Sequence, residues 1–341
     1  MMMKKHSRQS QRGVALLVVL LIMALMTMVS VNMASRMFVN FDRAESQIRY
    51  QQAYWYAQSV ESLARFGLEE SFGDDDTVTL SQPWAVRDQI YPLDGGQATG
   101  NVFDRQACFN VNGLRDIKPT ENGTNPALVI ALQQLIESQD IDSFEAETVA
   151  AATWEYVDVN TNVQSPLGVE DSEYEARSIP HVAPNGLIAD ISEWRAIHGV
   201  TREIYEKVSP LLCAIPSNQL VVNVNTLTED DAPILTALLH PNLSEDQAKQ
   251  LINERNPVDG WKDVASFIAE PVLSGLSDED KEKLQKNLDV RSRYFELDTE
   301  ITLDSTSLRL RALLQRDDNG TVTVVRRRFG GMSERDPDNK A

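Results

Sequence analysis

Two cysteines and four histidines in 341 residues leave little from which to build a soft metal centre or a nucleophilic site. His6, His181, His198 and His240 are scattered, and no two of them fall at a zinc-ligand spacing. Solvent-facing or capping roles are expected for each. Neither a nucleophile elbow nor a phosphate-cradling glycine loop occurs, so no enzyme is expected. Positive charge is scarce as well: 32 Lys and Arg stand against 51 Asp and Glu, for a net charge of −19. That balance argues against nucleic acid or anionic lipid as a partner, since both need clustered cations. It fits a non-adhesive soluble surface, or the binding of cations. A third absence is local. From Val14 to Val31 there is no charge at all, and only Thr27 and Ser30 interrupt the apolar run. Such a run is at the short end of a transmembrane helix. Lys4, Lys5, Arg8 and Arg12 before it would stay in the cytoplasm, placing everything after Val31 on the far side of the membrane, as a single-pass protein. A secretory signal peptide is the rival reading, with Ala34-Ser35 as its conceivable cleavage site.

The helical pattern then continues without Pro or Gly until Gly67 and reaches about Phe72. Phe41, Ala44, Ile48, Trp55, Ala57, Val60 and Ala64 recur at roughly helical spacing, which predicts one apolar face. At ~1.5 Å per residue the single helix would be roughly 85 Å long. Tyr54, Trp55 and Tyr56 are expected to pack on a sheet, Gly67 to mark a bend, and Gly73 with the aspartates after it to end the helix. Short strands follow to Asn112, punctuated by Pro83, Pro92, Gly95, Gly96 and Gly100. Amphipathic helices are expected in ALVIALQQLIES, in SFEAETVAAATWEYV and, twice, in DISEWRAIHGVTREIYEKVSPLL. There Asp190 with Glu193 resembles a capping box and Gly199 a C-cap. Asn223-Val224-Asn225-Thr226-Leu227 echoes Asn110-Val111-Asn112-Gly113-Leu114. Each is followed by a Leu-rich helix and an acidic-capped one (Ser143 to Glu147, Ser244 to Gln247), a weak duplication of a helix-hairpin-helix-like unit, with chance similarity the alternative. Tyr294 to Leu303, Leu308 to Gln315 and Thr321 to Phe329 alternate as half-buried strands, the last two joined by a turn at Asp317-Asp318-Asn319-Gly320. From Ser333 the tail is polar and expected to be disordered.

The start of the chain, a basic leader, then Gly13, then an apolar helix running into an amphipathic one, resembles the leader of type IV pilins and type II secretion pseudopilins. The resemblance implies cleavage by prepilin peptidase between Gly13 and Val14, with methylation of the new Val14 amine. The family pattern places a glutamate five residues after the cut, where this chain has Val18. A charge in lipid is expensive unless paired. A subunit without that carboxylate offers no partner to the amine of a subunit packed above it, yet can sit above the others. Together with the chain's length, this resembles the large minor pseudopilin K of type II secretion, and CFNVNGL, WEYVDVN, SEWRAIHGV, VNVNTL and the closing strands fall in that family's order.

The expected fold is therefore α+β: a pilin-like domain, its long N-terminal helix packed on an antiparallel sheet, carrying a large, mostly helical insertion with helix-hairpin-helix-like units. The expected divisions are a leader (1–13), a transmembrane and stem helix (14–72), and a pilin-like β part (73–112 with 291–332). Two inserted helical domains (113–222 and 223–290) and the tail (333–341) complete them. Cys108 and Cys213 would form one disulfide in an oxidising compartment, with two buried thiols as the alternative; the closed loop of roughly a hundred residues would contribute up to ~4–5 kcal/mol.

The loop YVDVNTNVQSPLGVEDSEY gathers hard oxygen ligands: Asp158, Asn160, Asn162, Glu170 and Asp171, with carbonyls at Thr161 or Gln164 and a weaker carboxylate at Glu173. Calcium takes six to eight such ligands. The EF-hand pattern is not met, because Val163 stands where its glycine belongs and the closing glutamate comes one place late. A solvated acidic loop would carry the same residues, but the family resemblance implies Ca²⁺ here. The function it implies is a structural tip component that primes and caps the periplasmic pseudopilus and limits its length. Its partners would be other minor pseudopilins, the major pseudopilin, prepilin peptidase, and secreted cargo or the outer-membrane secretin. Two other readings compete. A nucleic-acid-binding helix-hairpin-helix protein would need glycines that His240-Pro241-Asn242-Leu243 lacks. A generic single-pass periplasmic anchor would make Gly13 incidental.

Overall fold

The computed structural model describes residues 14–72, 77–120 and 123–330. Gly13 with the leader, and the tail from Ser333, lie outside the described residues. Helix α1 spans Val14–Ser71, 58 residues, or roughly 87 Å at ~1.5 Å per residue. It is long and apolar enough to cross a membrane, and none of its membrane-length apolar segment is buried against the rest of the chain. Gly67 does not interrupt it: the α-helix runs on to Ser71, whose Oγ donates to the Gly67 carbonyl.

Five antiparallel strands form the main sheet: β1 (Gln89–Leu93), β2 (Gly96–Asp104), β7 (Tyr294–Leu303), β8 (Thr306–Arg316) and β9 (Val322–Phe329), in the order β1-β2-β7-β8-β9. Phe295, Leu297, Ile301 and Leu303 of β7 alternate with more polar neighbours, as do Leu308, Leu310, Ala312 and Leu314 of β8; these apolar residues form a core with Ala53, Ala57 and Leu68 of α1. Tyr54, Tyr56, Val60, Ala64 and Phe72 pack around that core, so the packed part of the stem runs from Ala53 to Phe72 and is shorter than its sequence implies. Phe41, Ile48 and Trp55 are exposed, Trp55 to 68%, while Tyr54 rests on Phe329 with ring centroids 5.0 Å apart. Ala53 and Ala57 let the helix approach the sheet closely, with the larger side chains packed around them. Among them sits buried Glu61, whose carboxylate accepts two hydrogen bonds from Arg327, at 2.6 and 2.8 Å. A register shift opposite Leu313 and Leu314 puts Arg327 in reach, because Val324 pairs with Leu314 and Arg326, not Val325, pairs with Leu313. The extra residue exchanges the faces of everything after it.

The sequence between β2 and β7 leaves and re-enters the sheet at adjacent positions. Asp104 pairs with Phe295, and the Arg105 N–H donates to the Tyr294 carbonyl at 2.8 Å. A large insertion thus costs the sheet no pairing. At this root Asp104 is buried, accepting from Gln106 N–H (2.7 Å), Thr226 Oγ1 (2.5 Å), Ser292 Oγ (2.6 Å) and Asn223 Nδ2 (3.3 Å). Burial pushes its pKa up, and these donors oppose the rise.

The insertion consists of two units of related plan. The first holds β3 (Phe109–Asn110), α2 (Ala127–Glu137), α3 (Ser143–Val157), α4 (Asp171–Glu175), α5 (Arg202–Val208) and β4 (Leu212–Cys213), with β3 and β4 parallel. The second holds β5 (Val222–Asn223), α6 (Ala232–Leu238), α7 (Glu245–Glu254), α8 (Val264–Ile268), α9 (Asp278–Asn287) and β6 (Leu288–Asp289), with β5 and β6 parallel. The Asn motifs carry equivalent bonds. Asn112 accepts from the Ile188 N–H and donates to the Ile188 carbonyl; Asn225 does the same to Trp261. The capping box at Ser244 and Gln247 is present, but α3 is capped by Asp142, not Ser143. Asp190 and Glu193 also form a capping box, although the helix they open (Ile191–Ala196) is 3₁₀, not α, and its last residue lies three positions before Gly199, which has a φ of +81°.

Candidate metal centre

Helix α3 is buried along nearly its whole length, and its last turn carries Glu155 into the core at 0% exposure. Asp158 follows three residues on, 2% exposed, at the position that ends the helix. The chain then folds back on these two carboxylates through side-chain-to-backbone turns. Asp158 Oδ1 accepts the Asn160 N–H at 3.1 Å, and Asn160 Oδ1 accepts the Asn162 N–H at 2.8 Å. Asn160 Nδ2 and Gln164 Nε2 both donate to Asp158 Oδ2. Glu155 Oε1 accepts the N–H groups of Gln164 (2.6 Å) and Ser165 (2.9 Å). Gly168 is required where the loop passes over this carboxylate, since a Cβ there would lie 2.3 Å from Glu155 Oε1.

Glu170 completes the centre. It precedes α4, is 6% exposed, and offers one oxygen to a group in which the ligand atoms of Glu155, Asp158 and Glu170 lie within 4.8 Å of one another. Neither Glu170 oxygen has a hydrogen-bond partner, and Glu155 Oε2 and Ser165 Oγ have none either. Burial raises the pKa of Glu155 and of Asp158. Glu170 is pushed up to about 7, first by burial and then by the like charges of Asp158, Glu155 and Asp171. Three buried carboxylates, two with orphaned oxygens, are unstable as neighbouring anions unless protonated or joined by a cation. The donors are all hard oxygens, the chemistry that suits Ca²⁺. The residues fit the ion.

Of the five oxygen ligands expected from sequence, the fold brings together Asp158 and Glu170. Asn160 is turned onto Asp158, Asn162 is exposed, and Asp171 Oδ1 accepts the Ala183 N–H at 3.0 Å, pinning the return of the loop. Thr161 is exposed, Gln164 serves Asp158 and Glu155, and Glu173 lies 3.2 Å from His198. Glu155 was the missing member. Its signal is a carboxylate inside the mostly apolar stretch Val149–Val157, at i, i+3 from Asp158 and so on one face of the helix end.

Elsewhere in the insertion, Cys108 and Cys213 are joined as a disulfide, with Cα atoms 5.9 Å apart, beside the β3–β4 pair. A cleft of about 1460 Å³ lies between the outer face of the sheet and the helical insertion. Arg326 and Arg328 reach across it to Asp190, while Arg311 pairs with Asp298 and Arg105 with Glu296 on the sheet side.

A membrane-length stem helix laid on an antiparallel sheet, with a two-unit helical insertion at one strand crossing, defines the class: an α+β subunit carried on an amino-terminal stem. Family models described as "Type II secretion system (T2SS), protein K" match residues 107–217 and 222–291. The chain is 34% identical to the type II secretion system protein K of Aeromonas hydrophila, over 95% of this chain and 99% of that one. It is 33% identical to that of Pectobacterium carotovorum, over 97% and 100%. A chain in the crystal structure of the GspK–GspI–GspJ complex from enterotoxigenic Escherichia coli superposes with a TM-score of 0.78 at 38% identity, over 85% of this chain and 99% of that chain. The protein belongs to the type II secretion system protein K family.

Proposed function

We propose that this chain is a minor pseudopilin of the type II secretion system that primes and caps the tip of a periplasmic pseudopilus and thereby limits its length. The observation that carries the reading is the conjunction of bulk and missing charge. The insertion stands on one strand crossing of a small sheet, and Val18 occupies the place of the stem glutamate. A neighbour packed above would meet the insertion and find no carboxylate for its amine. The stem takes part in lateral packing below: Phe41, Ile48, Trp55 and Phe66 are exposed on the part of α1 beyond the membrane-length run, and the Leu, Val, Met and Ala surface of that run is equally uncovered. The solved complex of GspK with GspI and GspJ supports two further minor pseudopilins as the partners. The precursor is cut between Gly13 and Val14 and the Val14 amine is methylated, leaving a single-pass inner-membrane protein with its bulk in the periplasm.

Glu155, Asp158 and Glu170 hold a calcium ion. Bound there, the ion supplies compensating positive charge and cross-links the end of α3 to the start of α4. It is structural, and fixes the loop over the surface of the first unit.

The intact mass of membrane-extracted protein from cells with and without prepilin peptidase tests the first part. Loss of thirteen residues and gain of one methyl, only with the peptidase, is expected; an uncut chain leaves a plain membrane anchor. For capping, Val18→Glu should lengthen pseudopili or disturb tip assembly, and unchanged length and assembly would remove that part.

A further inference from the structure

The loop between α3 and Ile188 has a second anchor besides its carboxylates. The Arg115 guanidinium, through one nitrogen, Nη1, donates to the carbonyl of Val157 at 3.2 Å and to that of Asn185 at 3.3 Å. Val157 immediately precedes Asp158, and Asn185 lies three residues before Ile188, where Asn112 holds the chain. One side chain therefore ties the departure of the loop to its return. Asp158 is also within electrostatic reach of this guanidinium, which favours its ionised form.

The second unit supplies an internal control. Its Asn225–Trp261 anchor matches Asn112–Ile188, so Leu227 corresponds to Leu114 and Thr228 to Arg115. There the chain passes from the end of α7 at Glu254 to Trp261 with no carboxylate loop between. Thr228 instead opens a short helical turn with Asp231. Arg255, the one arginine beside this anchor among the described residues, holds the carbonyls of Val224 and Leu227 within the turn itself. Where the loop is present, an arginine bridges its two ends; where the loop is missing, that position is a threonine.

The geometry assigns Arg115 as the positioning residue of the carboxylate loop. It clamps the ends of the loop and offsets one of the negative charges there, which disfavours a trivalent cation relative to a divalent one. This rests on the calcium reading above. With Arg115, the carboxylates of Glu155, Asp158, Glu170 and neighbouring Asp171 carry a net charge of −3; without Arg115 they carry −4. Asp171 adds its charge from α4, where its carboxylate accepts the Ala183 N–H, and does so equally with and without Arg115.

The two roles separate by substitution. Removing Arg115 loosens the loop and also removes a repelling charge, so these effects oppose each other in calcium affinity itself. The affinity ratio of Tb³⁺ to Ca²⁺ isolates the charge, because the ions differ by one unit. Arg115→Gln is expected to raise that ratio about fivefold, the effect of one repelled charge across a partly solvated separation. Arg115→Lys, which keeps the charge, should leave the ratio as in wild type. For the clamp, limited proteolysis within 158–187 in chelator should run several-fold faster in Arg115→Gln, with far-UV circular dichroism unchanged. An unchanged ratio in Arg115→Gln would overturn the charge role, and unchanged loop proteolysis would overturn the clamp. Should Arg115→Gln fail to fold, Arg115→Lys decides: a ratio moved away from wild type refutes the charge role, and a wild-type ratio supports it. No binding of Ca²⁺ by the wild-type chain would instead refute the calcium reading, a different outcome from binding that ignores Arg115.

Discussion

Replacing Glu170 by Gln should stabilise the metal-free protein and weaken the metal-loaded one. The sign follows from where Glu170 sits. Its pKa is raised from 4.5 to about 7, by burial first and by Asp158, Glu155 and Asp171 next. The folded state therefore holds a proton that the unfolded chain has released, and stability falls as pH rises from about 4.5 to about 7, then levels off. A rise of that size corresponds to about 3 kcal/mol. Solvation of the surrounding loop reduces it to about 1–2 kcal/mol. Gln keeps the shape and carries no charge, so in chelator at pH 8 it should recover about that amount, a rise of roughly 5 °C in the transition of the first helical unit. Near pH 4.5 the difference should vanish. In millimolar calcium the ranking reverses, because the substitution removes a charged ligand from the centre. Calcium binding by the wild type should itself strengthen as pH rises through 7 and release protons. Calorimetric melts of both proteins, with and without calcium at pH 8 and pH 4.5, check this. A metal-free Glu170→Gln less stable than wild type at pH 8 would refute the picture of an orphaned, charge-crowded carboxylate.

Opening the Cys108–Cys213 bond, which closes a sequence separation of 105, should cost about 4–5 kcal/mol by loop entropy and lower the denaturant midpoint of the insertion; a midpoint unchanged by reductant would contradict it. Asn112→Ala leaves the N–H and carbonyl of Ile188 unbonded in the core and should destabilise by about 3 kcal/mol or more, with Asn225→Ala doing the same to Trp261. Urea titrations of the two variants give the comparison, and a loss below 1 kcal/mol in both would remove the shared-anchor account. Glu61→Gln breaks a two-bond ion pair at a buried position on the stem and should cost about 2–3 kcal/mol. Loss of protection from hydrogen exchange confined to β9 and the facing turns of α1 is the expected signature.

Some of this protein is decided by sequence alone. The charge-free run from Val14, the continuation of its helical pattern and the alternation of the last three strands are local periodicities, so they are visible without neighbours. The Asn-Val-Asn motifs are equally local, and their repeat proves to be a repeat of buried hydrogen bonds. Other features exist only once distant segments meet. Which part of the stem packs is set by where the sheet lies: Ala53, Ala57 and Leu68 are buried with Tyr54, Tyr56 and Val60 around them, whereas Phe41 and Ile48 stay exposed. The parity of β9 depends on one residue out of register with β8. Above all, the carboxylate centre joins the end of α3 to Glu170, the residue before α4. Asp158 and Glu170 are conspicuous in an acidic loop, whereas Glu155 looks like one more helix residue until burial strips it of solvent. Loss of solvent turns three ordinary acids into a site. Sequence spacing shows which carboxylates are near one another along the chain, and only the tertiary fold decides which are taken out of water together.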